Sequence, residues 1–250
     1  GCKDADIAHL NAKIGDRCDI EVIEDYALLA LQGPAAVAVM ARYAAPVRHM
    51  SFMSAAELHI SDIPCFVTRS GYTGEDGVEF SVPVDAAEDV ARLLLDEPEV
   101  EAAGLGSRDS LRLEAGLCLY GSDITETTTP TEAGLLWSIS KRRREEGGFP
   151  GAAVIQQQIA DGAPRKRVGI KPDGKAPARA HTEIADQDGN VIGEITSGGF
   201  SPTLGGPIAM GYVDAAHAAK GTNVNLMVRG KAMPAQVTSP IFVEHRYFRD

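Results

Sequence analysis

The stretch RSGYTGEDGVEFSV, residues 69–82, joins a glycine-rich turn to the start of an alternating strand. Its glycines tolerate positive φ angles, which suits a tight turn. From Val78 onward apolar residues alternate with polar ones, so Glu79 lies on the face opposite to Val78 and Phe80. The stretch therefore predicts a turn leading into a strand with one apolar face.

The three acidic residues of this stretch allow a metal loop, a solvated hairpin or a polar ligand pocket. Glu75 and Asp76 are adjacent, so their side chains diverge and do not match the alternating acids of a calcium loop. We assign both to the turn, where they are solvated or help to shape it. If the other face lines a cavity, Glu79 is a buried acid that needs a polar partner. Glu79 is therefore the candidate ligand contact, with a solvated hairpin as the alternative.

The sequence around this stretch predicts an α+β unit with an antiparallel sheet. The predicted strands are 18–23, 27–32, 56–60, 63–70 and 78–82, and Ser61-Asp62 is predicted to form a hairpin turn. One predicted helix spans 4–14 and a second begins at Pro34. A third is predicted to follow a capping box at Asp85–Glu88. After about residue 163, turn signals alternate with short β-rich runs, which predicts an all-β barrel or sandwich. We place the boundary near residues 160–165.

The segment SRDSLRLEAG, residues 107–116, predicts a helix that ends at Gly116. Arg108 and Arg112 are four residues apart and share one face of it, whereas Glu114 is not expected to face Arg112. Two interpretations stay open. The helix is a solvated surface helix, or Arg108 points into a cavity and binds a carboxylate or carbonyl through its planar fork of donors.

Composition excludes several classes of function. The 250 residues are 44% hydrophobic and 24% charged, which is ordinary for a globular protein, and the net charge of −11 argues against a nucleic-acid partner. The four cysteines lack zinc or redox spacing, so we expect no metal. No apolar run approaches the roughly 20 residues that span a membrane.

The basic run KRRREEGG, residues 141–148, predicts a solvated loop, or a docking site for an acidic protein partner.

Several motifs in order resemble the T-protein of the glycine cleavage system, a tetrahydrofolate-dependent aminomethyltransferase. They are ALLALQGP (27–34), SGYTGEDGVEFSVP (70–83), SRDSLRLEAGLCLYGSDI (107–124), TPTEAGLLW (129–137) and MGYV (210–213). The resemblance implies a cloverleaf of α+β folate-binding domains with a C-terminal all-β domain, its N-terminal part missing. Residues 18–107 would be the remainder of the first domain, 1–17 with 108–162 the remainder of the second, and 163–250 a barrel or jelly roll.

The resemblance also implies a reaction and its partners. A T-protein transfers a methylene group from the aminomethyl-lipoyl arm of H-protein to tetrahydrofolate and releases ammonia. Tetrahydrofolate is then a co-substrate and lipoylated H-protein the protein partner, which we expect to contact the basic run at 141–144. The location would be the mitochondrial matrix in a eukaryote and the cytoplasm in a bacterium.

Four site residues follow from the matching motifs. Glu79 matches the glutamate that hydrogen-bonds the pterin, Tyr72 an aromatic residue near the folate, Arg108 the arginine at the folate site, and Tyr247 a C-terminal residue that closes it. No catalytic residue is assigned, because the family's aspartate lies upstream of the position matching Gly1. The chain is therefore expected to be an inactive fragment. The alternatives are a folate-binding module of a dimethylglycine or sarcosine dehydrogenase, or a non-catalytic folate-binding or interaction fragment.

Overall fold

The computed structural model describes residues 2–249. Its α-helices are Lys3–Ile14 (α1), Ala36–Tyr43 (α2), Ala87–Leu95 (α3), Leu105–Glu114 (α4), Lys141–Glu146 (α5) and Ala152–Asp161 (α6). Its strands are Tyr26–Gln32 (β1), Ala55–Ile60 (β2), Ile63–Thr68 (β3), Gly77–Pro83 (β4), Arg165–Pro172 (β5), Glu183–Ala185 (β6), Val191–Ser201 (β7), Gly206–Asp214 (β8), Asn223–Val228 (β9) and Lys231–Thr238 (β10). None of these helices is long and apolar enough to cross a membrane.

The stretch 69–82 leads into β4, which belongs to a four-stranded antiparallel sheet with the order β1-β4-β3-β2. Alternation sends every second side chain to one face, and helices α2 and α3 cover that face. The predicted turn at Ser61-Asp62 joins β2 to β3. The core between sheet and helices is filled by apolar side chains from both layers: Val39, Met40, Val67, Val78, Phe80, Val90 and Leu94.

The C-terminal strands form a closed antiparallel barrel in the order β10-β5-β8-β7-β6-β9. Its interior is packed with aliphatic side chains such as Ile170, Ile184, Ile195 and Leu226, each 0% exposed. Closing the sheet on itself removes its free edges, which otherwise expose unpaired backbone groups. The predicted fold class, α+β with a C-terminal barrel, is confirmed.

Three local predictions are wrong. Residues 18–23 form no strand. Their apolar side chains Val22 and Ile23 are 39% and 51% exposed, so burial of these side chains does not stabilise a strand there. The capping box at Asp85–Glu88 is not formed, because α3 begins after Ala86 without a side-chain cap and Glu88 pairs with Arg92 instead. The basic run is not a loop but helix α5.

Helix α5 forms because its ends and its charges both favour it. The Ser140 hydroxyl accepts a hydrogen bond from the backbone amide of Arg143 at 3.4 Å, and Gly147 ends the helix at a φ of 71°. Arg142 and Glu146, four residues apart, form an ion pair at 3.1 Å. Part of the positive charge of this run is therefore neutralised within the helix.

Helix α4 ends as predicted at Gly116, which has a φ of 70°. The amide of Leu117 donates to the carbonyl of Arg112 at 2.9 Å, and the amide of Gly116 donates to that of Leu113 at 3.1 Å. These two bonds are the Schellman arrangement. A Cβ at Gly116 would lie 2.3 Å from the carbonyl oxygen of Pro240, so glycine is needed for space as well as for its φ angle.

Candidate functional site

The turn of residues 70–76, called here the glycine-rich loop, is held at the end of β1 by Gln32. The Gln32 amide donates to the carbonyl oxygens of Ser70 at 2.9 Å and Val78 at 3.2 Å, and it accepts from the Thr73 hydroxyl at 3.1 Å. A Cβ at Gly71 would lie 1.8 Å from Oε1 of Gln32. Sequence reasoning missed Gln32. The signal was a polar residue ending an apolar strand, opposite glycines that leave room for it.

Glu79 lies on the sheet face that points away from α2 and α3, called here the outer face. It pairs with Ala30 of β1 and Thr68 of β3. The predicted alternation holds, since Val78 and Phe80 on the inner face are 0% and 1% exposed while Glu79 is half-buried. The Ser70 hydroxyl donates to Oε2 of Glu79 at 3.1 Å. This bond fixes one carboxylate oxygen and links Glu79 to the glycine-rich loop.

Tyr72 and Arg108 are brought together by the glycine-rich loop and α4. The Tyr72 hydroxyl donates to the carbonyl oxygen of Cys118, and the guanidinium carbon of Arg108 lies 4.9 Å from the centre of the Tyr72 ring. A cation at this distance is attracted to an aromatic face. Burial raises the pKa of Tyr72 above its usual value. Its hydroxyl therefore stays a proton donor well above neutral pH.

Arg108 is exposed and lines a cavity of about 930 Å³ between β1, α3 and α4. Gln32, Thr73 and Phe80 also line it. Glu79 is not among the lining residues. Arg108 thus lines a cavity, whereas Glu79, on the outer face, does not, and the two interpretations of Arg108 stay open.

Tyr247 approaches the glycine-rich loop from the C-terminal segment. Its ring stacks on Phe52 with 3.9 Å between centroids, and the ring of His245 lies 4.8 Å away. The amide of Arg246 donates to the Gly74 carbonyl oxygen at 2.8 Å. Burial raises the pKa of the Tyr247 hydroxyl. The four candidate residues therefore surround one loop, although only Tyr72 and Arg108 are in direct contact.

The adjacent acids of the loop have structural partners. Asp76 receives two hydrogen bonds from Arg69, from Nε at 3.0 Å and from Nη2 at 2.6 Å, and Arg69 is only 4% exposed. Glu75 pairs with Arg246 at 3.1 Å. Asp76 shapes the turn by holding a buried guanidinium. Among residues 2–249, no group of three or more His, Cys, Asp or Glu side chains is arranged to hold a metal ion.

Two family descriptions match the chain. Residues 1–143 match the GCVT N-terminal domain, and residues 165–244 match the glycine cleavage T-protein C-terminal barrel domain. The chain belongs to the glycine cleavage T-protein family. The second match coincides with the closed barrel, and the first contains Tyr72, Glu79 and Arg108.

Similar proteins cover the whole chain. The mitochondrial aminomethyltransferases of Mesembryanthemum crystallinum and Solanum tuberosum are 49% and 48% identical over 100% of it, and that of Canis lupus familiaris is 48% identical over 99%. The crystal structure of the glycine cleavage system aminomethyltransferase T from Bartonella henselae is 45% identical, with a TM-score of 0.92 over 100% of this chain and 68% of that one. The chain spans 63% of the length of these curated relatives.

In this member of the T-protein family, the surface-helix interpretation of 107–116 is wrong for Arg112. Arg112 is 3% exposed and donates to Asp123 at 2.6 Å, to Asp109 at 2.9 Å and to the Ser197 hydroxyl at 2.9 Å. Asp123 also accepts from the amide of Leu119 at 2.9 Å. The pair therefore fixes the chain on both sides of Cys118, whose carbonyl receives the Tyr72 hydroxyl. Arg112 thus helps to hold the backbone to which the Tyr72 hydroxyl is hydrogen-bonded.

Glu114 is the second buried charge that sequence reasoning missed. It is 2% exposed and accepts from the hydroxyls of Ser201 at 2.6 Å and Thr203 at 2.7 Å. Both donors belong to the barrel side of the molecule, more than eighty residues away in sequence. No local pattern in the sequence could pair them, because the contact exists only once α4 rests on the barrel.

Proposed function

We propose that the chain is the folate-binding part of an aminomethyltransferase of the glycine cleavage system. The whole enzyme transfers a methylene group from aminomethyl-lipoyl H-protein to tetrahydrofolate, with release of ammonia. The observation that carries the proposal is that Tyr72 and Arg108 are in contact beside the glycine-rich loop, to which Ser70 also ties Glu79, in a chain of this family. The aminomethyltransferase names of the similar proteins support it.

The chemistry of these side chains suits a folate. The amino-pyrimidinone edge of a pterin offers neighbouring N–H donors, and a carboxylate accepts two of them at once. Ser70 fixes one oxygen of Glu79 and leaves the remaining lone pairs available. Arg108 supplies a planar set of donors for a carbonyl or carboxylate of the ligand, Tyr72 supplies an aromatic face beside it, and Tyr247 closes the site.

We assign no catalytic residue to this chain. We propose folate binding for these 250 residues and H-protein-dependent transfer for the whole enzyme.

A titration with 5-formyl-tetrahydrofolate tests the folate site. Isothermal calorimetry on the 250-residue chain should detect binding, and Glu79→Ala should weaken it by about 2–5 kcal/mol, the cost of removing one partner of a buried charged hydrogen bond. Glu57→Ala, on the same outer face but exposed on β2, is the matched control and should bind as wild type does. Equal affinity of wild type and Glu79→Ala would remove Glu79 from the site, and no binding by wild type would remove the folate proposal.

The basic helix α5 is the proposed contact for lipoylated H-protein, since its exposed cations suit an acidic partner on a chain whose net charge is −11. Reversing the charge of Arg142 and Arg143 in the full-length enzyme should raise the apparent KM for H-protein. Lys175→Glu, exposed on the barrel, is the control. An unchanged KM would place the contact elsewhere.

The names of the relatives support a mitochondrial location if the source is a eukaryote.

A further inference from the structure

The segment after β10, residues 239–249, runs as an extended strap from the barrel back to the four-stranded sheet. The amides of Phe242 and Val243 donate to the Glu114 carbonyl oxygen at 2.9 and 3.0 Å. Farther along, the amide of Arg246 donates to Gly74 in the glycine-rich loop at 2.8 Å. The strap thus touches the end of α4 first and the glycine-rich loop second. It connects the barrel to the loop that carries Tyr72.

The end of the strap is anchored on Phe52. The amide of Phe52 donates to the Phe248 carbonyl oxygen at 2.8 Å, and its ring stacks on Tyr247 with planes only 7° apart. The guanidinium carbon of Arg249 lies 5.3 Å from the centre of the same ring. Alternation along an extended chain explains why Tyr247 and Arg249 share this contact, whereas Phe248 covers the buried Arg69 at 4.2 Å.

Phe52 is presented by a strained turn. The amide of Ser54 donates to the Ser51 carbonyl oxygen at 3.0 Å, and Met53 within this turn has a φ of 68°. A left-handed conformation is unfavourable for a residue with a long side chain. Met53 is also 68% exposed, so its own side chain gains little by packing there. The amide of Met53 donates to the Arg69 carbonyl oxygen at 2.9 Å and the amide of Arg69 donates to that of Ser54 at 3.0 Å, so the turn holds Phe52 beside the end of β3.

We propose that Phe52 is a positioning residue, which holds Tyr247 and the strap against the glycine-rich loop and so fixes Tyr72 beside Arg108. The core of the sheet does not include Phe52. Its ring and its amide both contact the strap. The effect on folate rests on the function proposed above, whereas the effect on the loop does not.

The test compares Phe52→Ala and Phe52→Leu with wild type, with Phe52→Tyr as the variant that restores the ring. Phe52→Leu keeps apolar volume without stacking, which covers the case in which Phe52→Ala folds poorly. Phe200→Ala, a 51% exposed aromatic residue on the barrel, is the control. Two measurements are made on the 250-residue chain: hydrogen exchange of backbone amides, and titration with 5-formyl-tetrahydrofolate.

We expect the Arg246 amide and the loop amides of 70–76 to exchange about tenfold faster in Phe52→Ala and Phe52→Leu, with barrel amides unchanged. Folate affinity should fall by about two- to tenfold, as for loss of an aromatic stack. Phe52→Tyr should restore both. Unchanged exchange in the two ring-less variants would overturn the proposal, as would faster exchange with unchanged affinity. If wild type binds no folate, the proposed function fails, and the exchange result alone decides the role of Phe52.

Discussion

The barrel and the four-stranded sheet differ in how completely they bury their apolar side chains. The barrel closes on itself, and its large interior side chains are wholly buried. The sheet is covered on its inner face only, and its outer face leaves Leu28 and Phe66 69% and 42% exposed. The proposed ligand contacts lie on or beside the open sheet. The closed barrel buries its apolar side chains within itself, while the open sheet leaves one face on which a ligand could be contacted.

Arg112 of α4 should be the most sensitive position, because it bonds both Asp123 and, on strand β7 of the barrel, Ser197. Arg112→Ala would leave the carboxylate of Asp123, whose side chain is 0% exposed, without its cation. Removing one partner of a buried ion pair costs about 3–5 kcal/mol. Urea denaturation followed by circular dichroism should show this loss. Arg92→Ala, whose side chain is 72% exposed beside Glu88, should cost about 0.5 kcal/mol or less.

If Arg112→Ala costs no more than Arg92→Ala, α4 is not held to the barrel by this pair. A single unfolding transition in wild type that splits into two in Arg112→Ala would show instead that Arg112 couples α4 to the barrel.

A pair of leucine truncations tests the difference between closed and open regions directly. Leu226→Ala in the barrel removes a side chain that is 0% exposed and should cost about 2–5 kcal/mol. Leu28→Ala on the outer face of the sheet should change the free energy of unfolding by about 0.5 kcal/mol or less. The same denaturation experiment measures both. A large loss for Leu28→Ala would mean that the outer face is covered in solution.

The sequence predicts those features that local patterns determine. The alternation around Glu79, the hairpin at Ser61-Asp62 and the end of α4 at Gly116 each follow from neighbouring residues. The motifs also identified the family. The division at 18–107, with 1–17 joined to 108–162, stays a prediction.

What the sequence could not show depends on distant contacts. Arg112 and Glu114 look like solvated charges because their partners Ser197 and Ser201 lie far along the chain. Residues 18–23 look like a strand, since alternation alone does not reveal whether a neighbouring strand exists. The spacing of Phe52 and Tyr247, almost two hundred residues apart, gives no signal of their stacking. Tertiary packing decides each of these cases.

A smaller loss of stability than those of Arg112→Ala and Leu226→Ala is expected from the titration of Tyr212, on the barrel side of the contact with α4. Its hydroxyl donates to the backbone oxygen of Asp123 at 2.7 Å, and burial raises its pKa far above the unfolded value of about 10. Above pH 10 the native state therefore holds a proton that the unfolded state releases, so the free energy of unfolding falls as pH rises. This contribution is fully present well below pH 10, and about 1.4 kcal/mol of it is lost by pH 11.

Tyr212→Phe cannot titrate, so its stability should fall less steeply than that of wild type between pH 9 and 11. Tyr72 and Tyr247 are present in both proteins, and their own raised pKa values cancel in the difference. Urea midpoints measured at pH 7, 9 and 11 give the comparison. If the urea midpoints of the two proteins fall equally with pH, the Tyr212 hydroxyl is in contact with water. Its hydrogen bond to the backbone of Asp123 is then not protected from solvent.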